Sequence, residues 1–104
     1  MTDANAIRKL LEQVEAGTPI LDTTPIGEID VYAQNHFHDA YNEDSIDAAK
    51  ALHEALLPGW AWCIHDGGVV RLDKDAEVIG MADCPARAWL LAILRALSAQ
   101  GGGE

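Results

Sequence analysis

Residues 36 to 47, HFHDAYNEDSID, bring two histidines, one amide and four carboxylates into twelve consecutive positions. On an extended segment His36 and His38 point to the same side. Such an H-x-H pair can share a zinc or other divalent ion with a carboxylate such as Asp39. The sequence marks no third, distant ligand, and Phe37 between the histidines reads as the buried side chain of a surface turn with both imidazoles in water. A metal-binding protein or small metal-dependent enzyme built on His36 and His38 is therefore the rival reading, and no cofactor is expected.

Other combinations carry weaker chemistry. Cys63 and His65 alternate onto one strand face, so a thiolate-imidazole pair oriented by Asp66 can be drawn from them. The opposite face holds Trp60, Trp62 and Ile64 and reads as the core side, which leaves Cys63 and His65 partly solvated or packed at an edge. Gly67-Gly68 lacks the lysine and the following helix of a phosphate-binding loop. Glu43, Asp44 and Asp47 resemble an acid-base set, but the start of a helix favours negative charge and explains the first two without chemistry. His53 sits on an apolar stripe, as a satisfied core or boundary histidine does rather than a ligand. Trp60, Trp62 and Trp89 are expected to fill the core between sheet and helix. No catalytic residue stands out, and the chain is expected not to be an enzyme.

The elements that position these residues can be read from spacing. From Ala4 to Ala16, Ile7, Leu10, Leu11 and Val14 recur at three and four positions, which predicts a helix stopped by Gly17. Residues 18–41 contain two prolines and a glycine around a short IDVY alternation, and predict irregular or short helical structure with at most one brief strand. Asn42 is expected to cap a helix whose stripe is Ile46, Ala49, His53, Leu56 and Leu57, with Pro58-Gly59 ending it. Residues 60–65 alternate as a strand and turn at Asp66-Gly67. Residues 69–73 and 77–81 complete a three-stranded antiparallel meander, with a turn at Lys74-Asp75. A last helix runs from Pro85 to about Gln100 with Trp89, Leu90, Ile93, Leu94 and Leu97 as its apolar face. The fold class is α+β: a small antiparallel three-stranded meander packed with an N-terminal, a central and a C-terminal helix as an α-β-α sandwich. Residues 1–100 form one domain, and 101–104 are expected to be a disordered tail.

Charge narrows the function classes further. The 104 residues carry a formal charge of -10. The segment from Leu10 to Ala49 holds nine of the 17 acids (Glu12, Glu15, Asp22, Glu28, Asp30, Asp39, Glu43, Asp44, Asp47) and none of the seven Lys and Arg residues. Such a surface opposes direct contact with phosphate backbones and suits a basic protein partner. Small domains also run acidic for solubility alone. The most apolar segment, residues 86–99, is interrupted by Arg87 and Arg95 and falls short of the roughly 20 residues that span a bilayer. The start MTDANAIRKL lacks the pattern of a secretory signal. Cys63 and Cys84 are 21 positions apart with no C-x-x-C spacing, as in a reduced cytoplasmic chain.

The phrases SIDAAKALHEALLPGWAW and GMADCPARAWLLAILRAL flank the meander. Ser45 to Ala49, Leu57-Pro58-Gly59-Trp60, Gly80, and Ala82 to Leu90 resemble the phage ABA sandwich domain family over roughly residues 41 to 97. The resemblance implies an α+β sandwich of phage or prophage origin and supplies no catalytic residues to carry over. The sequence therefore leads to a non-enzymatic accessory protein in the host cytoplasm that binds a protein with a basic surface. Its contact residues would be Glu28, Asp30, Asp39, Glu43, Asp44 and Asp47. Its sharper form is an inhibitor of a host defence complex, such as an anti-CRISPR that mimics nucleic acid. A structural or self-associating phage component is a further alternative.

Overall fold

Helix α1 (Ala4–Ala16) buries Ile7, Leu10 and Val14, the stripe its spacing predicts, and stops before Gly17. The computed structural model describes residues 4–17, 26, 32–57, 59–65, 68–74 and 77–102. The IDVY segment falls mostly outside these. Beyond it the chain forms a full helix, α2 (Ala33–Asn42), with Ala33, Phe37, Ala40 and Tyr41 buried along one side. Tyr32 precedes it in helical conformation with no side-chain cap, so the usual sequence signal of a helix start is missing.

Three residues then turn the chain into α3 (Ile46–Leu56). The helix cap is Ser45, not Asn42: its Oγ accepts a hydrogen bond from the Ala48 amide at 3.1 Å, while Asn42 is the last residue of α2. Ala48, Ala49, Leu52, His53 and Leu56 face inward. Ile46, expected on that stripe, is 43% exposed. It opens the first turn, ahead of the level at which the stripe meets the core.

Strands β1 (Ala61–His65), β2 (Val69–Asp73) and β3 (Glu77–Met81) form one antiparallel sheet in that order. His65 pairs with Val69, so the first hairpin loop has three residues, not the two expected from Asp66-Gly67. Its last residue, Gly68, has φ +78°, and a Cβ there would collide with the Ala82 carbonyl. A left-handed third position is how a three-residue hairpin loop closes. Asp66, Gly67 and Asp75 themselves lie outside the described residues.

Cross-strand pairing sets Trp62, Leu72 and Val78 in one row and Ile64, Val70 and Gly80 in the next. This face meets α4 (Pro85–Gly102), against which Val70 and Leu72 are fully buried. Gly80 permits the close approach: a Cβ there would strike the Ala88 carbonyl and sit 2.6 Å from the Ala92 amide nitrogen. The other face carries exposed Cys63, Arg71, Ile79 and Met81.

The α+β class and the three-stranded meander are as the sequence leads one to expect; the α-β-α layering is not, because the second sheet face is open and a fourth helix, α2, joins the others on the covered side. Among the described residues the helices cover one sheet face, and the middle layer is α4. It packs on β2 and β3 on one side and on α1, α2 and α3 on others. Ala86, Ala88 through Leu94, Ala96 and Leu97 are all buried, so the apolar surface of α4 encircles the helix rather than forming one face. A helix that is apolar all round belongs in an interior. It continues to Gly102, two residues into the expected tail, and residues 103 and 104 lie outside the described residues. No described helix is long and apolar enough to cross a membrane.

Candidate functional site at the helix corner

Four of the six acids singled out by the sequence meet at the α2–α3 corner; Glu28 and Asp30 lie outside the described residues. Asp39 and Glu43 are one helical turn apart. The Asp39 carbonyl accepts from the Glu43 amide at 3.0 Å and the Ser45 amide at 3.5 Å, which folds the chain back at this point. Asp44 adopts φ +53° within the turn, a conformation that Asp tolerates better than most residues. Asp47 sits in the first turn of α3. All four side chains are exposed.

Helix electrostatics explains these charges less well than the sequence suggests. Asp47 is favoured by the start of α3. Glu43, however, is also the C-cap of α2, where the carbonyl ends of the helix oppose a carboxylate. Among the described residues the ion pairs are Arg71 with Asp73 and Glu77, and Arg95 with Glu15. None involves the corner. Asp39, Glu43 and Asp47 therefore project as unneutralised charge.

Asp44 is the exception, and its partner is a residue that sequence reasoning missed. The Cys84 thiol donates to Asp44 Oδ1 at 3.2 Å. Burial raises the Cys84 pKa; the hydrogen bond and negative charge of Asp44 raise it further, against a backbone hydrogen bond and the positive charge contributed by Arg87. The result is a thiol held protonated, unsuited to nucleophilic chemistry. Arg87 lies beneath the corner with its guanidinium 5.3 Å from the Tyr41 ring centre, and its Nε is enclosed without a hydrogen-bond partner among the described residues. A polar contact spanning 40 positions, as between Asp44 and Cys84, leaves no local pattern in the sequence.

The histidine pair is corrected by the helix that contains it. His36 and His38 lie within α2, where two positions turn the side chain through roughly 200°. They diverge rather than converge. Phe37 between them is fully buried, as expected, but on a helix rather than a turn. Among the described residues no three His, Cys, Asp or Glu side chains are grouped to hold a metal ion. Cys63 and His65 share the open sheet face, and both are exposed.

His53 is a satisfied core histidine. It is 2% exposed; Nδ1 accepts from Trp89 Nε1 at 3.2 Å, and Nε2 lies 2.9 Å from the Trp60 carbonyl. Indole can only donate and a carbonyl can only accept, so the ring is the neutral tautomer with its proton on Nε2. This bridge binds α3, α4 and the entry to β1.

The three tryptophans do not share one fate. Trp89 is fully buried and Trp60 partly so, whereas Trp62 is 42% exposed although its ring centre is 4.7 Å from that of Trp89. The facing is as predicted, but β1 is the outermost strand and α4 covers β2 and β3. One side of Trp62 meets the core and the rest meets water.

Comparison with family models, with characterised proteins and with solved structures returns no match for this chain.

Proposed function

We propose that this chain is a non-catalytic binding protein of phage or prophage origin that acts in the host cytoplasm on a protein with a basic surface. The α2–α3 corner is the contact, with Asp39, Glu43, Asp44 and Asp47 at its centre and Glu28 and Asp30 as further acids of the same segment. The observation that carries the reading is that Asp39, Glu43 and Asp47 are exposed within nine consecutive positions and take no cation among the described residues; Glu12, Glu54 and Asp83 are also exposed without an ion pair, but they are scattered along the chain. Neighbouring like charges disfavour the fold, so a function is the simplest reason to keep them. Carboxylates presented at helical spacing meet Arg and Lys as phosphates do. In its sharper form the protein inhibits a host defence complex by occupying a nucleic-acid-binding surface.

The direct test is competition. The chain should displace DNA from a CRISPR effector complex, and the displacement should weaken steeply as salt rises, since attraction between exposed charges is screened beyond about 8 Å at physiological ionic strength. The variant Asp39→Asn, Glu43→Gln, Asp47→Asn should stay folded and lose the competition. Full activity of that folded variant, in competition or in rescuing phage growth on a defended host, would refute the acidic contact.

A further inference from the structure

The two edges of the sheet are finished differently. At the β3 edge, Arg95 donates to the Ile79 carbonyl and pairs with Glu15 at 3.0 Å, so a charged side chain anchored on α1 takes one of the strand's backbone acceptors. At the β1 edge nothing comparable exists among the described residues. All five residues of β1 are exposed, and the strand's only hydrogen-bonded neighbour among those residues is β2. Its sequence, Ala-Trp-Cys-Ile-His, contains no proline, lysine or acid, and its register against β2 runs without a bulge. Those are the devices that normally keep an edge from pairing. A regular strand without acid or lysine, whose outward amides and carbonyls take no partner among the described residues, is a template for another strand.

We propose that the strand added to β1 is β1 of a second copy, joined antiparallel about a two-fold axis at Cys63 to make one continuous sheet. The strand is complementary to itself in that register. Trp62 of each copy lies opposite Ile64 of the other, and Ala61 opposite His65. Trp62 and Ile64 are 42% and 36% exposed in the single chain and share the helix-side face. Aromatic against β-branched across a strand pair is a stabilising combination, and the two-fold makes it twice.

The flanking helix is complementary in charge. Lys50 and Glu54 stand one turn apart on α3, with the Lys50 ammonium 6.0 Å from the Trp62 ring. Glu54 lines a cleft of about 320 Å³ with His53, Leu57, Trp60 and Trp62. A two-fold axis reverses their order, so Lys50 of one copy faces toward Glu54 of the other. Of the unpaired corner acids, Asp47 stands one turn before Lys50 on α3, and Asp39 and Glu43 lie on α2 and at its end. The strand pairing itself uses none of the four corner acids.

A five-residue strand is a small interface, and the dimer is a weak one that forms as concentration rises. Sedimentation equilibrium of the full chain up to about 1 mM should show reversible monomer–dimer exchange, strengthened by salt because net charges repel. Ile64→Lys should weaken it by about tenfold or more. Ile79→Lys, an equal charge change on the open face of β3, should leave it intact. In chains carrying Cys84→Ser, a short bis-maleimide should link Cys63 to Cys63 at the concentrations where the dimer forms. This second measurement keeps β1 native and decides the matter if Ile64→Lys does not fold. A chain that remains monomeric throughout overturns the proposal and leaves a strand of another protein as the occupant of this edge. A dimer that persists in folded Ile64→Lys, or is not trapped through Cys63, overturns it in favour of a different surface.

Discussion

Two groups of polar side chains in this molecule are treated in opposite ways. At the junction of α3, α4 and β1, His53 has each ring nitrogen matched to one partner, Trp89 and the Trp60 carbonyl. At the α2–α3 corner, Asp39, Glu43 and Asp47 project from a short turn with no matched cation among the described residues. The first arrangement is fully accounted for by folding. The second is not, and that remainder of unexplained charge is why function is sought there. Composition alone makes both look like chemistry; burial and hydrogen-bond partners separate them.

The sharpest way to break this comparison is at His53. Replacing it with leucine leaves the buried Trp89 indole N–H unpaired, at about 1 to 3 kcal/mol. The Trp60 carbonyl, part-buried beside the cleft, also loses its ring partner, but water can reach it and reduces that cost. Denaturant unfolding of His53→Leu should therefore show a loss of roughly 1 to 4 kcal/mol. Trp89→Phe should lose the same indole bond by another route, so the double variant should cost less than the sum of the two. Additive losses would mean that the bond contributes nothing of its own.

Trp62 lies between the two regimes and should lie between them in energy. Truncating a fully buried tryptophan costs about 3 to 5 kcal/mol, the scale that the period-2 pattern suggests for this position. With 42% of Trp62 in water and one face on Trp89, Trp62→Ala should cost only about 1 to 2 kcal/mol in the monomer. Cys63→Ser, on the open face, should fall within about 0.5 kcal/mol of wild type. A Trp62 loss on the scale of a core residue would show that the edge is covered in solution.

How much of this was legible in the sequence depends on how local each signal is. α1, β2, β3 and the start of α4 could be placed because their patterns repeat within one or two turns of chain and end at Gly17 or begin at Pro85. α2 was hidden because it has no capping side chain before it, and because its stripe, Ala33, Phe37, Ala40 and Tyr41, keeps helical spacing but is made of two small alanines and two aromatics set among polar residues, a weak apolar signal in a segment that follows two prolines and a glycine. Asn42 and Ser45 are both acceptable caps, and only the presence of α2 decides that Asn42 belongs to the helix before. The acids at positions 39, 43, 44 and 47 were legible as a group because they are close in sequence. Their relation to Cys84 and Arg87 was not, since it depends on α4 passing under the corner.

That relation gives the smallest and most local effect. Cys84 is held as a thiol by burial first and by Asp44 second, so the two causes can be separated by removing one. Asp44→Asn keeps an oxygen that can accept the thiol hydrogen but removes the charge that opposes a thiolate. The pH at which Cys84 becomes reactive to iodoacetamide, followed in a Cys63→Ser background, should move down in Asp44→Asn. Burial then acts alone against the backbone hydrogen bond and positive charge at Arg87. Linkage sets the sign for stability: the folded chain holds the Cys84 proton more tightly than the unfolded chain does. This contribution is fully present below the ordinary thiol range and is lost as pH rises through the raised folded value. Asp44→Asn should flatten that alkaline decline while leaving neutral-pH stability nearly unchanged, as expected for an exposed carboxylate. If Asp44→Asn does not move the Cys84 profile, the thiol is not donating to Asp44. Asp44 would then join Asp39, Glu43 and Asp47 as an acid with no side-chain partner among the described residues, and the difference between the interior and the corner would be sharper still.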